Sequence, residues 1–333
     1  MTLATKLFKQ QWKTLQVLSK YTSFRSMSTT ESIAKRNKLF DEETKRQQDT
    51  IGRIEKIEVR YLGLPEDVTL VMNRGISTPF NCAQHLTEGH CKRSVLGLVD
   101  GNVPWDMFRP LQESCTLQLL NFTVADPHLV NKAFWRSCSF MLGAALQESF
   151  KDEAGLQLHS FPGPNIKSGS FVHDIYLSAQ GWSPSSRELR AISAEMVKLA
   201  AQDLKIERLE VNSEVAIEMF NDNRYKKEQL PSILSQNQGR VTLYRVGKHI
   251  DISRGPMIAS TRFLGKCTIA AVHELSKEGK DGSIYRVQGV ALPAGIIINH
   301  FAYGILEKRA KKNNPARLPT EPFEEQVADQ LIA

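Results

Sequence analysis

Small and apolar residues between Asp126 and Phe150 recur at steps of three and four: Leu129, Val130, Ala133, Phe134, Ser137, Met141, Leu142 and Ala145. That period predicts the longest helix of the chain, with Asp126 as its cap and Pro127 in its first position. Upstream the period changes to two. Ile54 to Tyr61 alternates as a strand, Leu64-Pro65-Glu66-Asp67 turns, and Val68 to Met72 completes a hairpin. Ser77-Thr78-Pro79 opens a short helix to about Leu86; Val95 to Val99 is a strand ending in the turn Asp100-Gly101, and Thr116 to Phe122 is a last strand. A hairpin, a helix and further strands within residues 54–122 predict a ubiquitin-like β-grasp unit.

Downstream, Phe171 to Leu177 reads as a strand and Ser183-Pro184 as the cap of a helix reaching about Asp203. Ile206 to Val211 is a strand, Asn212 or Ser213 starts a short helix to Phe220, and Tyr225 to Leu234 is helical and polar. Strands follow at 241–246, 267–272 and 283–290, then an amphipathic helix over 296–312 ending in Glu307-Lys308-Arg309-Ala310-Lys311-Lys312. Residues 126–313 thus form one larger α+β domain. Two flanking segments differ in character. Residues 31–53, with Ala34-Lys35-Arg36-Asn37-Lys38 and Asp41-Glu42-Glu43-Thr44-Lys45-Arg46, read as a charged lead-in helix, either solvated or wrapped on another surface. Residues 314–333, with Pro315, Pro319 and Pro322, predict an extended tail.

Composition narrows the class. Hydrophobic residues make up 41% and charged residues 24%, ordinary values for a globular protein. No apolar run approaches the roughly eighteen residues of a membrane span. Five cysteines, an odd number without a regular framework, fit a reducing compartment. The formal net charge of +7 is concentrated at one end: residues 1–30 carry Lys6, Lys9, Lys13, Lys20 and Arg25 and no acid, leaving 38 basic against 36 acidic residues elsewhere. Acid depletion, Ser and Thr enrichment and an apolar helical face (Leu3, Leu7, Phe8, Trp12, Leu15, Leu18) predict a mitochondrial transit peptide over 1–30. The alternative is a basic amphipathic helix kept for a membrane or RNA surface.

Candidate chemistry is sparse. Cys82-x-x-His85-x-x-x-x-His90-Cys91 places four metal-type side chains within ten residues, but zinc takes well-separated ligand pairs, and ordinary helix and loop residues are the default reading. No metal or cofactor is expected. His159, His173 and His249, with Asp174 and Asp251, share the larger domain, yet none is spaced so that local geometry would pair it. A Walker-type phosphate loop is absent. The stretch Gly247-Lys248-His249-Ile250-Asp251-Ile252-Ser253-Arg254-Gly255-Pro256-Met257 reads as a tight loop lining a cleft, and Gly163-Pro164 with Gly169 as another.

Those loops carry a family resemblance. Ser137-Cys138-Ser139, Gly163-Pro164-x-Ile166-x-x-Gly169, Phe171-x-x-Asp174, Asp251-Ile252-Ser253-Arg254-Gly255-Pro256 and Thr261-Arg262-Phe263 resemble the editing domain of threonyl-tRNA synthetase, a fold shared with alanyl-tRNA synthetase editing. Residues 54–122 resemble the TGS domain, a β-grasp module that precedes it. The resemblance spans about 250 residues and implies an α+β fold of a TGS domain followed by an editing-like domain. It leaves no room for the aminoacylation and anticodon-binding domains.

The family's editing helix carries two histidines one turn apart, and its loop a cysteine and a histidine around Arg-Gly-Pro. The corresponding positions here are Arg136, Phe140, Ser253 and Met257. Arg stays protonated, Phe cannot move a proton, and serine and methionine are poor metal ligands, so no catalytic residue is expected. With its basic leader, the chain is similar to a threonyl-tRNA-synthetase-like family of the mitochondrial large ribosomal subunit. That resemblance implies a structural role in the matrix, with large-subunit ribosomal RNA and neighbouring mitochondrial ribosomal proteins as partners. Candidate phosphate contacts are Lys92, Arg93, Arg224, Lys226, Lys227, Lys308, Arg309, Lys311, Lys312 and Arg317; each cluster reads equally as a solvated charge run. A free-standing deacylase of mischarged tRNA, lacking a visible base, and a tRNA-binding module are the alternatives.

Overall fold

A computed structural model describes residues 29–278 and 282–319. The expected transit segment, apart from its last two residues, and the tail beyond Pro319, including Pro322, lie outside the described residues. Among the described residues the fold is mixed α+β with three sheets.

Helix α1 (Thr29–Asp49) comes first. Strands β1 (Lys56–Tyr61) and β2 (Val68–Asn73) pair antiparallel, Ile57 opposite Met72 and Val59 opposite Leu70. The alternation of β1 turns Ile57, Val59 and Tyr61 inward. Helix α2 (Pro79–Leu86) starts at a capping box between Thr78 and Asn81, and α3 (Glu88–Arg93) follows at Thr87. Strands β3 (Leu96–Val99), β4 (Val103–Trp105) and β5 (Cys115–Leu120) complete a sheet of order β2-β1-β5-β3-β4, in which β1 and β5 run parallel.

Helix α4 (His128–Ser149) is the longest described helix and founds the larger core. It begins one residue later than expected: Pro127 sits at the boundary, and the Asp126 carboxylate accepts the His128 N–H at 3.1 Å. Strands β6 (Gln157–Ser160) and β7 (Phe171–Leu177) precede α5 (Ser186–Ala201), whose capping box joins Ser185 and Glu188 rather than starting at Ser183-Pro184. Strand β8 (Glu207–Asn212) runs into α6 (Ser213–Met219) and α7 (Arg224–Gln236). Strands β9 (Arg240–Val246) and β10 (His249–Ile252) pair with β8 in the order β10-β9-β8; β10 occupies part of the stretch expected to be a loop. Strands β11 (Leu264–Glu278) and β12 (Gly282–Pro293) form a long hairpin in the order β11-β12-β7-β6, and α8 (His300–Ala310) closes the described helices.

Both faces of the four-stranded sheet are covered. Ile269, Tyr285 and Val287 join the core of α4 and α5, whereas Ala270 and Val290 pack under Tyr303 and Ala310 of α8. After α8 the chain turns back across β12. Arg286 grips Asp174 with two bonds of 2.8 Å and donates to the carbonyls of Asn314 at 2.6 Å and Ala316 at 2.5 Å.

The lead-in helix is not a solvated rod. Phe40 of α1 is 2% exposed and joins Leu209, Val211, Val241 and Leu243 of the three-stranded sheet and Phe220 beside it. Arg36 donates to the Met219 carbonyl at 3.0 Å and pairs with Asp222, and Arg245 lies over the Phe40 ring while pairing with Asp41 at 2.6 Å. The charged sequence conceals one buried ring with ion pairs around it.

Candidate functional site

Helix α4, strand β10 and the loop after it converge on a cleft of about 720 Å³ lined by Arg136, Phe161, Lys226, Gln229, Ser253 and Arg254, among others. Arg136 points from α4 to the loop and donates to the Pro256 carbonyl at 3.1 Å. Burial lowers its pKa from the usual arginine value, while Tyr244 and Asp106 act in the opposite direction. Phe140, one turn on, is fully buried; its ring centroid lies 4.8 Å from His249 and 6.4 Å from both Tyr244 and Phe161.

The loop is shaped from the other side. Ser253 donates its N–H to the Thr242 carbonyl at 3.1 Å, and its Oγ accepts the Gly255 N–H at 3.3 Å. Gly255 has φ +65, and a Cβ there would lie 1.8 Å from the Tyr244 hydroxyl, so no larger residue fits. Met257 is 1% exposed, and its N–H donates to Asp106 Oδ1 at 2.8 Å. The Tyr244 hydroxyl donates to the same carboxylate at 3.0 Å. Asp106, which follows β4 of the five-stranded sheet, therefore holds the loop of the larger domain. Burial raises its pKa, against the pull of the Met257 amide and Arg208.

Of the four positions that the resemblance singled out, Arg136 and Ser253 line the cleft, whereas Phe140 and Met257 are buried. Together the four offer one hydroxyl, already committed within its loop, and no group able to exchange a proton near neutral pH.

Beneath the cleft lies a polar cluster that the sequence did not assemble. Lys226 Nζ contacts Asp251 Oδ1 at 2.5 Å, both side chains being buried. His173 Nδ1 lies 2.9 Å from the Ser139 carbonyl, and His173 Nε2 is 3.9 Å from Asp251 Oδ2. His249 Nδ1 meets Gln147 Oε1 at 2.5 Å. His173 Nε2, His249 Nε2 and Asp251 Oδ2 have no hydrogen-bond partner among the described residues. Gly143 makes room for the two rings, since a Cβ there would stand 2.6 Å from His173 Cε1. Burial pushes His173 down to about 4 and His249 to about 3, so both are neutral near pH 7. Burial pushes Asp251 up, but Lys226 and the two histidines outweigh it and leave it below the usual carboxylate range.

Lys226 is a correction. It was expected on the surface as a phosphate contact, but it is 3% exposed and bound to Asp251. Its position four residues before buried Leu230 was the available signal. Asp106 had none, because its partners lie about 150 residues downstream.

The other candidate cations are dispersed. Lys92 pairs with Glu88 at 2.6 Å, and Arg93 donates to Gly89. Arg224 pairs with Glu228 at 2.8 Å, and Lys227 donates to Asn221 at 3.1 Å. Lys308, Arg309, Lys311 and Lys312 cluster at the end of α8, all exposed, and no ion pair joins them to a carboxylate among the described residues. Arg309 donates instead to the Lys167 carbonyl. Arg317 is exposed beyond that cluster.

The Cys82–Cys91 stretch disperses too. Cys82 is buried, and burial pushes its thiol up to about 12, while His90 sits between the Tyr61 hydroxyl at 2.9 Å and Thr87 at 2.7 Å. Among the described residues no group of three or more His, Cys, Asp and Glu side chains could hold a metal ion, and no helix is long and apolar enough to cross a membrane.

Comparison with known proteins places this arrangement. The chain is 68% identical over 332 residues to the large ribosomal subunit protein mL39 of Drosophila melanogaster, covering 99% of this chain and 100% of that protein. The chain belongs to the mL39 family. Membership makes it a ribosomal protein rather than an enzyme. It is also 32% identical over 222 residues to cytoplasmic threonine–tRNA ligase 1 of Homo sapiens, covering 65% of this chain but 28% of the ligase. With mitochondrial threonine–tRNA ligase 1 of Arabidopsis thaliana it shares 29% identity over 263 residues, covering 78% of this chain and 35% of the ligase. No protein-family model matches the chain. The mL39 family is therefore distantly related to one region of the ligases.

Proposed function

We propose that the chain is a structural component of the mitochondrial large ribosomal subunit, working in the matrix in support of mitochondrial translation. The observation that carries this reading is the match to an mL39 protein along the whole of both chains. The partners it implies are large-subunit ribosomal RNA and neighbouring ribosomal proteins.

In this reading residues 54–122 are a TGS-like β-grasp domain and residues 126–313 an editing-like domain. The parallel β1–β5 pair at the centre of a five-stranded mixed sheet, with α2 against it, supports the first assignment. Arg136, Phe140, Ser253 and Met257 then mark a former reaction site in which Arg136 clamps the loop and Phe140 plugs the helix face. Residues 29–49 serve as a strap that holds the three-stranded sheet through Phe40 and Arg36.

RNA contact is assigned first to Lys308, Arg309, Lys311 and Lys312, followed by Arg317. Four exposed cations without carboxylate partners among the described residues are suited to phosphate, whereas Lys92 and Arg224 already carry counter-charges. Protein–RNA cross-linking on salt-washed large subunits tests this: adducts should concentrate on 308–312. RNA adducts confined to 92–93 or 224–227 would overturn the assignment.

A further inference from the structure

The cleft beside α4 and β10 offers both apolar surface and positive charge. Phe161, Ile233 and Ile252 line it half-buried, together with Arg136 and Arg254. Lys226 is already bound to Asp251. Arg136, also half-buried, makes one hydrogen bond, to the Pro256 carbonyl, and Arg254 donates to Gln236 Oε1 at 2.5 Å. Neither forms an ion pair with a carboxylate among the described residues. Glu228, the one acid lining the cleft, pairs with Arg224 at 2.8 Å. The chain itself leads to this place. Arg286 and Gln288 hold the stretch 310–316 against β12, Asn314 bonds Ser168 and Ser170, and Pro319 is part of the cleft wall. The sequence then reads Thr320-Glu321-Pro322-Phe323-Glu324-Glu325-Gln326-Val327-Ala328-Asp329. Residues 320–333 hold four acids and no Lys, Arg or His, in a chain whose net charge is +7.

We propose that residues 320–333 occupy this cleft in the same molecule, their carboxylates meeting Arg136 and Arg254 and Phe323 covering Phe161, Ile233 and Ile252. Position, tether and charge select this occupant. Extended chain advances at most about 3.6 Å per residue, so Phe323 and Glu324 reach up to about 18 Å from Pro319. A segment anchored at the cleft wall is presented to it at an effective concentration on the order of mM. A phosphate group would also suit the two arginines, but it would have to displace a tethered carboxylate. A second copy of the chain would bring the same segment without the tether. The pairing gives Arg136 the counter-charge that a half-buried guanidinium needs. A cleft with no group for proton transfer then serves to clasp the chain's own acidic segment. The contact is internal, so it stands or falls apart from the ribosomal reading.

The test uses the purified full-length chain with benzoylphenylalanine in place of Phe323 for photo-cross-linking. Mass spectrometry should locate an adduct within one molecule, to residues 160–163, 228–237 or 252–254, at a yield that dilution does not change. Mixing isotopically labelled and unlabelled chains distinguishes a second copy. An adduct between chains, an adduct elsewhere on the chain, or no adduct overturns the proposal. On salt-washed large subunits the probe should mark the same residues. An adduct there to RNA or to another protein overturns the proposal, whereas loss of the chain from the subunit removes the ribosomal reading alone. Charge reversal separates docking from folding. Arg254→Glu, at an exposed site, should leave the Tm of the free chain nearly unchanged and reduce the adduct yield about tenfold. Adding Glu321→Lys and Glu324→Lys to that variant should restore the yield. A yield that Arg254→Glu leaves unchanged, or that the combined variant does not restore, overturns the proposal.

Discussion

Acid should unfold this protein well above the usual carboxylate range, because three histidines are buried without charge. Burial lowers His159 and His173 to about 4 and His249 to about 3, with Lys226 adding to the effect. In the unfolded chain each titrates near 6.5. Above that pH both states hold neutral rings, and stability is complete. As pH falls through 6.5, the unfolded chain takes protons that the folded chain refuses, so stability is lost until the folded values are reached. At a pH of about 5.5 each ring favours unfolding by about 1.4 kcal/mol, and the three together by about 4 kcal/mol. That is a large part of the roughly 5–15 kcal/mol typical of a folded domain. Urea unfolding followed by tryptophan fluorescence should show the midpoint falling steeply between pH of about 7.5 and about 5.5. The double variant His173→Gln, His249→Gln should retain only the part due to His159, about 1.4 kcal/mol over that interval. A midpoint that does not move between the two pH values would refute the reasoning, since it would mean that the rings gain protons as readily in the folded state.

Three further perturbations follow from the contacts. Phe40→Ala removes the one ring that seats α1 on the three-stranded sheet, and should cost about 3–5 kcal/mol and expose residues 29–49 to protease. Asp106→Ala leaves the Met257 N–H and the Tyr244 hydroxyl unpaired, and should cost about 2 kcal/mol or more in urea unfolding. Phe140→His sets a polar ring among Phe161, Tyr244 and His249; the melting temperature should fall, by an amount corresponding to about 1–3 kcal/mol, and no serine should be released from mischarged threonine tRNA.

Much of the fold was legible because local pattern and tertiary burial agree. Strand β1 alternates in sequence and in space, and the stripe of α4 is the centre of the larger core. Arg136 and Ser253 of the cleft could be named in advance only through the resemblance to the synthetase editing domain, which marked their positions. What escaped was polar and buried. Arg36 and Glu43 look like surface residues, yet both are buried, Arg36 on the Met219 carbonyl and Glu43 under Arg46 and Gln47. Lys226 reads as part of a basic run until Asp251 is placed beside it by a strand 25 residues away. Arg286 and Gln288 lie in a strand that was expected, but their burial was not legible, since the returning chain at 310–316 covers them. Except at Glu43, the compensating partner is distant in sequence, so periodicity carries no trace of it. His249–Ile252 was assigned to a loop for a related reason: four residues are too few to show a period.

Sedimentation bears most directly on the central claim, that a synthetase-like region serves here as ribosomal structure. Mitochondrial extract is run on a gradient in high salt, and the chain is quantified across the fractions. It should stay with the large subunit in constant proportion to large-subunit RNA. Its release into the light fractions, while that RNA still sediments with its core proteins, would contradict the account.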